Sequence, residues 1–243
     1  MFILPQFFVL ENYRFLFKVC YNIGSILTVK YASYNFEGYK FVNNQIQLLP
    51  DKVQIQTYPR FKNLNLDKIL VINTLAQCKD IEHELTYATV LGFDTESKPT
   101  FNKGEVQTGP HLIQLATLEK AYLFQVSPEI IEFLKPIFEN PKQLKVGFGL
   151  KNDSHLFRKK SIELNSIIEL SKSFSSFGLT NTVGVKNAMA LLFQVNFPKS
   201  KSISTSNWAR KVLTEPQIEY AAADAYAAVL IFEELLRLGL IQH

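Results

Sequence analysis

Asp94 and Glu96 stand two positions apart in TVLGFDTES, a β-branched and apolar run that ends in acids. Such a run predicts a strand over residues 89–94. Side chains alternate along a strand, so the two carboxylates share one face while Phe93 and Thr95 take the other. Carboxylates held this close repel one another unless a cation lies between them. Oxygen ligands of this kind suit Mg²⁺ or Mn²⁺. Two solvated acids at a strand end is the competing reading, and a D-x-E pair alone does not decide between them.

A second acid lies in YAAADAYAA, where Tyr220 and Asp224 fall one helical turn apart and hence on one face. The alanines keep that side of the helix low, so a neighbouring element can approach closely. An unpaired carboxylate within such a packed stretch is costly, and a metal ion removes the cost. Asp224 on the wet edge of an alanine-packed helix remains the alternative. Asp153 follows GFGLKN, just past a predicted strand and at a helix start. Asp is an ordinary residue there, and Asn152 competes with it as the cap.

The elements that would position these groups follow from pattern. ILVIN (69–73) is a short apolar strand, and Thr74 caps a helix running through Leu85. SKPTFNKGEVQTGPH carries Pro and Gly and predicts a loop. LIQLAT (112–117) and KAYLFQV (120–126) flank a short junction and predict a hairpin. Pro128–Phe138 has helical periodicity, LKVGFG (144–149) is a strand, and Ser154–Lys160 is a short helix. SIIEL (166–170) is a further strand and Lys186–Gln194 a helix. The last helix runs from Thr214 to Leu238, with a T-x-x-Q capping box at Thr214 and Gln217 and a stop at Gly239. Strands mixed with helices predict an α/β sheet with helices against it.

The chain has 243 residues, enough for one such domain and an appendage. Its net charge of +4, from 26 Lys+Arg and 22 Asp+Glu, permits a nucleic-acid partner without requiring one. Cys20 and Cys78 lie far apart, which excludes a disulfide framework and a zinc site of ordinary spacing. Reduced cysteines give a cytoplasmic location as the default. The first 40 or so residues are rich in Phe and aliphatics, but Glu11, Arg14 and Lys18 interrupt them. No uncharged apolar run is long enough to span a bilayer, so no integral membrane association is expected. The features of a signal peptide are missing as well. Arg14 and Lys18, four apart, would suit an amphipathic interfacial segment. A loosely packed extension is the preferred reading.

Taken in order, the three acidic sites resemble the DEDD superfamily of 3′–5′ exonucleases in its tyrosine-bearing branch. FDTES resembles the first exonuclease motif, VGFGLKNDSHLF the second and YAAADAYAAVLIF the third. SNWARKVLTEPQIEYAAADAYA (206–227) resembles the stretch shared by Werner-type exonuclease domains and ribonuclease D. The resemblance covers roughly residues 65–238. It implies a ribonuclease-H-like fold, a central mixed β-sheet flanked by α-helices. The organisation expected is an N-terminal extension (1–44), a lead-in (45–64) and the exonuclease domain (65–243).

The resemblance also implies the chemistry. Asp94, Glu96, Asp153 and Asp224 would hold two divalent cations, Mg²⁺ or Mn²⁺. One would serve the attacking water and the other the leaving 3′ oxygen, while the Tyr220 hydroxyl orients the water. The partner implied is the 3′ end of single-stranded DNA or RNA, with DNA favoured. Ribonuclease-D-like trimming of RNA is one alternative. A non-catalytic nucleic-acid-binding module is another, and repulsion between the acids and phosphate argues against it.

Thr95, Lys98, Asn152, Lys201 and Arg210 are candidate substrate contacts, with Lys103, Lys199 and Lys211 as further cations for phosphate. Each lysine or arginine reads equally as a solvated surface charge. Trp208, before the last helix, is read as a packing residue rather than a base-stacking one. His111 and His155 are read as structural or surface residues. One prediction follows from this division. Deleting residues 1–44 leaves exonuclease activity largely intact, and a truncated protein that folds but does not cut would place that segment in the site.

Overall fold

The computed structural model describes residues 9–10, 14–23, 26–34, 49–100, 104–150, 157–158, 162–177, 179 and 181–241. The chain divides into two units, residues 1–46 and 47–243. In the first, β1 (Val9–Leu10), β2 (Arg14–Ile23) and β3 (Ile26–Tyr34) form an antiparallel sheet with Phe15 opposite Tyr34. Arg14 and Lys18 thus lie in a strand and not in an amphipathic helix.

The second unit is built on a six-stranded mixed sheet. Its strands are β4 (Ile69–Ile72), β5 (Val90–Glu96), β6 (Leu112–Ala116), β7 (Ala121–Gln125), β8 (Leu144–Gly147) and β9 (Ile167–Glu169). The order is β4-β7-β6-β5-β8-β9. Only β6 runs against its neighbours; β4 with β7, β5 with β8 and β8 with β9 pair in parallel. The expected hairpin is β6–β7, closed by the Thr117 N–H donating to the Lys120 carbonyl at 2.9 Å. The helix expected over Ser154–Lys160 lies outside the described residues except at Phe157 and Arg158, which are helical.

Helices cover both faces. On one, α2 (Leu75–Tyr87) and α3 (Pro128–Glu139) pack Leu85, Ile130, Leu134 and Phe138 against Leu91, Phe93, Ile113 and Tyr122. Thr74 and Gln77 form a capping box at the start of α2, and Ser127 caps α3. The other face carries α6 (Glu215–Arg237), whose Ala221, Ala222, Ala225 and Val229 pack on Leu112, Ala116, Ala121 and Leu123. The outer side of α6 is covered in turn by α4 (Val185–Phe193), through Ala188, Met189 and Leu191. The last helix is therefore buried on nearly all sides. It starts at a capping box of Thr214 and Gln217 and ends before Gly239, whose φ is +69°.

The lead-in is folded onto this unit. α1 (Lys52–Thr57) buries Ile55, and Phe61 packs its ring 5.0 Å from Phe197. The Phe61 and Asn196 N–H groups donate to Asn196 and Pro59 carbonyls at 3.0 and 2.8 Å. α5 (Lys201–Ser204) is a single turn ahead of Trp208. Among the described residues no helix is long and apolar enough to cross a membrane.

Two positions in β5 and β8 set how closely the elements approach. A Cβ on Gly92 would lie 2.0 Å from the Ala225 carbonyl oxygen, so α6 rests directly on the β5 backbone. A Cβ on Gly147 would lie 2.2 Å from the Phe93 carbonyl oxygen. Beside it, Lys145 of β8 is fully buried and donates to the Ile137, Asn140 and Gln143 carbonyls at 3.2, 3.0 and 2.8 Å. That cation stitches the end of α3 to β8, and burial lowers its pKa to about 8.

Gly92 yields a prediction, because the atom in the way is backbone and cannot rotate aside. Gly92→Ala should cost about 1–3 kcal/mol by overpacking, read as a lowered thermal midpoint, and should reduce activity by lifting α6 from the acids of β5. An unchanged midpoint with unchanged activity would show that the two elements have room to spare.

Candidate active site

Asp94 and Glu96 close β5 on the side that faces α6. The register fixes this, since Gly92 meets Ala225 and the side chains of residues 92, 94 and 96 share a face. Glu96 pairs with Leu112, which packs under the same helix. Both acids are half-buried, and the Asp94 Oδ1 accepts from the Thr95 N–H at 2.8 Å. Across from them α6 presents Tyr220 and Asp224, 9% and 5% exposed.

The electrostatics show how near these groups lie. Burial first, and then the charges of Asp224, Glu96 and Asp94, hold the Tyr220 phenol well above its ordinary value of 10.0. Without a metal ion beside them, a tyrosine next to three acids keeps its proton and can donate a hydrogen bond. Burial also pushes the Asp224 carboxyl up, while the Lys199 ammonium, 3.5 Å from Oδ1, opposes that shift. Neither Asp224 oxygen takes a hydrogen bond of ordinary geometry among the described residues, although Lys199 and Tyr220 both lie near enough to pull its pKa down. Lys199 also lies 5.9 Å from the centre of the Tyr220 ring. The Trp208 ring packs 6.1 Å from Tyr220 and donates its Nε1–H to the Ser204 carbonyl at 3.1 Å.

The fold thus gathers Asp94 and Glu96 of β5 with Tyr220 and Asp224 of α6, which lie 124 or more positions further along the chain. Asp153, Asn152, His155 and Lys103 lie outside the described residues. The approach to Asp153 is nonetheless held: the Glu169 carboxylate accepts from the Gly149 and Leu150 N–H groups at 3.1 and 2.9 Å. Gly149 has a φ of +76°, which accounts for glycine there. Among the described residues no three His, Cys, Asp or Glu side chains close to metal-holding distance.

The other candidates are more dispersed. Thr95 is half-buried and contributes its N–H to Asp94. Lys98 is exposed and its backbone N–H donates to His111 Nδ1, while His111 Nε2 pairs with the Thr108 hydroxyl at 3.1 Å. His111 is therefore held within its own loop. Lys201, Arg210 and Lys211 are exposed, and the Arg210 carbonyl accepts from Gln125 at 3.0 Å.

One site residue was not singled out by pattern. Gln114 pairs with Asp94 across β5–β6, is fully buried, and neither end of its amide has a hydrogen bond among the described residues. The available signal was an amide interrupting the apolar strand LIQLA.

With the geometry in view, the comparisons give the class. Residues 69–239 match the 3′–5′ exonuclease domain family, and the chain belongs to it. It is 34% identical over 166 residues to the mouse bifunctional 3′–5′ exonuclease/ATP-dependent helicase WRN, covering 66% of this chain and 12% of that protein. The sheet and helices are those of a ribonuclease-H-like exonuclease domain. The EXO domain of Nibbler from Aedes aegypti superposes with a TM-score of 0.62 at 23% identity, covering 72% of this chain and 92% of that one. Ribonuclease D from Escherichia coli superposes with a TM-score of 0.58 at 23% identity, covering 70% and 44%. These relatives belong to the DEDD superfamily, whose members generally use divalent metal ions.

The protonated phenol gives a pH prediction. In the metal-free protein burial and the neighbouring acids raise the Tyr220 pKa, and a hydroxyl that acts only by donating adds no alkaline step of its own. Tyr220→Phe should lower kcat by about 10²-fold equally from about pH 6 to pH 9, read from the pH–rate profile. Loss confined to the alkaline side would instead mark a tyrosinate base.

Proposed function

We propose that this chain removes nucleotides from nucleic-acid 3′ ends by divalent-metal-dependent hydrolysis. The observation that carries the reading is the Asp224 carboxylate. It is buried, meets only the tip of an exposed lysine at 3.5 Å, and lies on the helix that packs on β5 beside Asp94 and Glu96. A carboxylate in that condition is costly unless a cation completes it. The donor set is all oxygen, which fits Mg²⁺ or Mn²⁺ and not a softer metal.

In this reading Asp94, Glu96 and Asp224 hold the metal ions, joined by Asp153. The ions supply activation of water and neutralisation of the charge that develops on the phosphate. Tyr220 donates from its hydroxyl and orients the water for attack in line with the leaving 3′ oxygen. Burial under α6 keeps the acids in place and strengthens every charge interaction in the site. Asn152, Thr95, Lys98, Lys201 and Arg210 remain the candidate substrate contacts.

Single-stranded DNA stands first as substrate and RNA second. The ordering follows the motif resemblance to Werner-type exonuclease domains, the mouse relative being 34% identical over 166 residues. The test is degradation of 5′-labelled single-stranded DNA and RNA with Mg²⁺ or Mn²⁺. Stepwise shortening from the 3′ end is expected, lost by about 10³-fold or more in Asp94→Ala. Shortening that persists in a folded Asp94→Ala protein would remove these acids from the chemistry.

A further inference from the structure

Among the described residues Lys199 is the ammonium that pairs with the buried acid of the site. It comes from the segment between α4 and α5, its side chain is 46% exposed, and its Nζ lies 3.5 Å from Asp224 Oδ1. The Asp224 side chain is 4% exposed and takes no hydrogen bond of ordinary geometry among the described residues, with Lys199 and Tyr220 the groups that lie nearest to giving one. The contact is long for a charge-assisted hydrogen bond, so it is an ion pair across a short gap. Its two ends are unlike: one is fixed within a helix, the other is the tip of a flexible four-carbon stem that reaches solvent.

That asymmetry decides which end moves. Asp224 cannot follow a partner outward, because Ala223 and Ala225 beside it are packed between β5 and α4. Lys199 can leave at the cost of one exposed rotamer. A divalent cation placed on the same carboxylate brings twice the charge, and two cations on one oxygen repel. The ammonium must then withdraw, and it withdraws toward the solvent side, where an incoming phosphate is the nearest anion for it.

Resting on the exonuclease reading, we propose that Lys199 is a positioning residue with two successive partners. It holds the Asp224 carboxylate before a metal ion arrives; displaced by the ion, it engages a phosphate of the substrate strand. The arrangement keeps the buried acid compensated in both states. A lysine suits the position, because a charge on a long flexible stem can exchange partners.

The consequence is a pair of effects with opposite sign. Lys199→Met removes a competitor for Asp224 and a phosphate ligand at once. Isothermal titration with Mn²⁺ alone, on the full chain, should give a Kd about fivefold tighter in Lys199→Met than in the parent. The KM for a single-stranded oligonucleotide at saturating Mn²⁺ should rise by about fivefold, with kcat nearly constant. Lys199→Arg, which keeps the charge, should restore the KM. A residue that merely supports the structure would weaken both, and a solvated charge would move neither; either result overturns the proposal, as does a shift in one quantity alone. Absence of Mn²⁺ binding by the folded parent would overturn the metal-dependent reading itself, which separates the two failures.

Discussion

The contact between Gly92 and the Ala225 carbonyl is the constraint on which the site depends. With no side chain at 92, the backbone of α6 lies against that of β5, and a Cβ there would sit 2.0 Å from the carbonyl oxygen. Every functional group named above is referenced to this contact. Two positions along β5 comes Asp94, and one residue before Ala225 comes Asp224. The small residues Ala221, Ala222 and Ala225 do on the helix what Gly92 does on the strand. Close approach of this kind replaces bulk apolar packing with many short backbone contacts, which individually are weak but leave little freedom to slide.

The same closeness creates a charge problem. Sealing a carboxylate under a helix raises the energy of its ionised form, and Asp224 shows that in its upward shift. Tyr220 shifts in the same sense, holding its proton more tightly because it is buried and because three acids lie around it. A site with three clustered acids, one of them buried, and a phenol that keeps its proton is strongly biased toward cations. The fold tolerates this bias because the rest of the unit is conventional: two apolar layers on either face of the sheet, with α6 enclosed by α4. Strain and charge are concentrated where chemistry needs them.

The parts of this arrangement that were legible in the sequence are local ones. Alternation placed Asp94 and Glu96 on one face, and the helical period joined Tyr220 to Asp224. The T-x-x-Q boxes and Gly239 marked the limits of helices, and short loops implied the β6–β7 hairpin. The central sheet with flanking helices came from these and from the order of the motifs. What was not legible depends on partners distant in the chain. Gly92 reads as an ordinary strand glycine until Ala225 is set on it. Lys145 reads as a surface lysine, yet it is buried and satisfied by three carbonyls. Gln114 reads as one polar residue in a strand, and only the register puts it opposite Asp94. Lys199 was one of several cations, and nothing in its neighbours in sequence selects it above Lys201 or Lys211.

That last distinction has a physical basis. A surface charge acts mainly through solvent, where screening makes neighbouring lysines nearly interchangeable. A charge that meets a buried, donor-poor carboxylate acts through low-dielectric material and is not interchangeable with its neighbours. Lys201 and Lys211 belong to the first kind, both exposed to solvent. Lys199 belongs to the second, because the group it faces cannot reach water on its own. The specificity of the position therefore originates in Asp224, and Asp224 is buried because Gly92 lets α6 come down onto the sheet. A single missing side chain on β5 thus determines which lysine, among several alike in sequence, carries weight in the site.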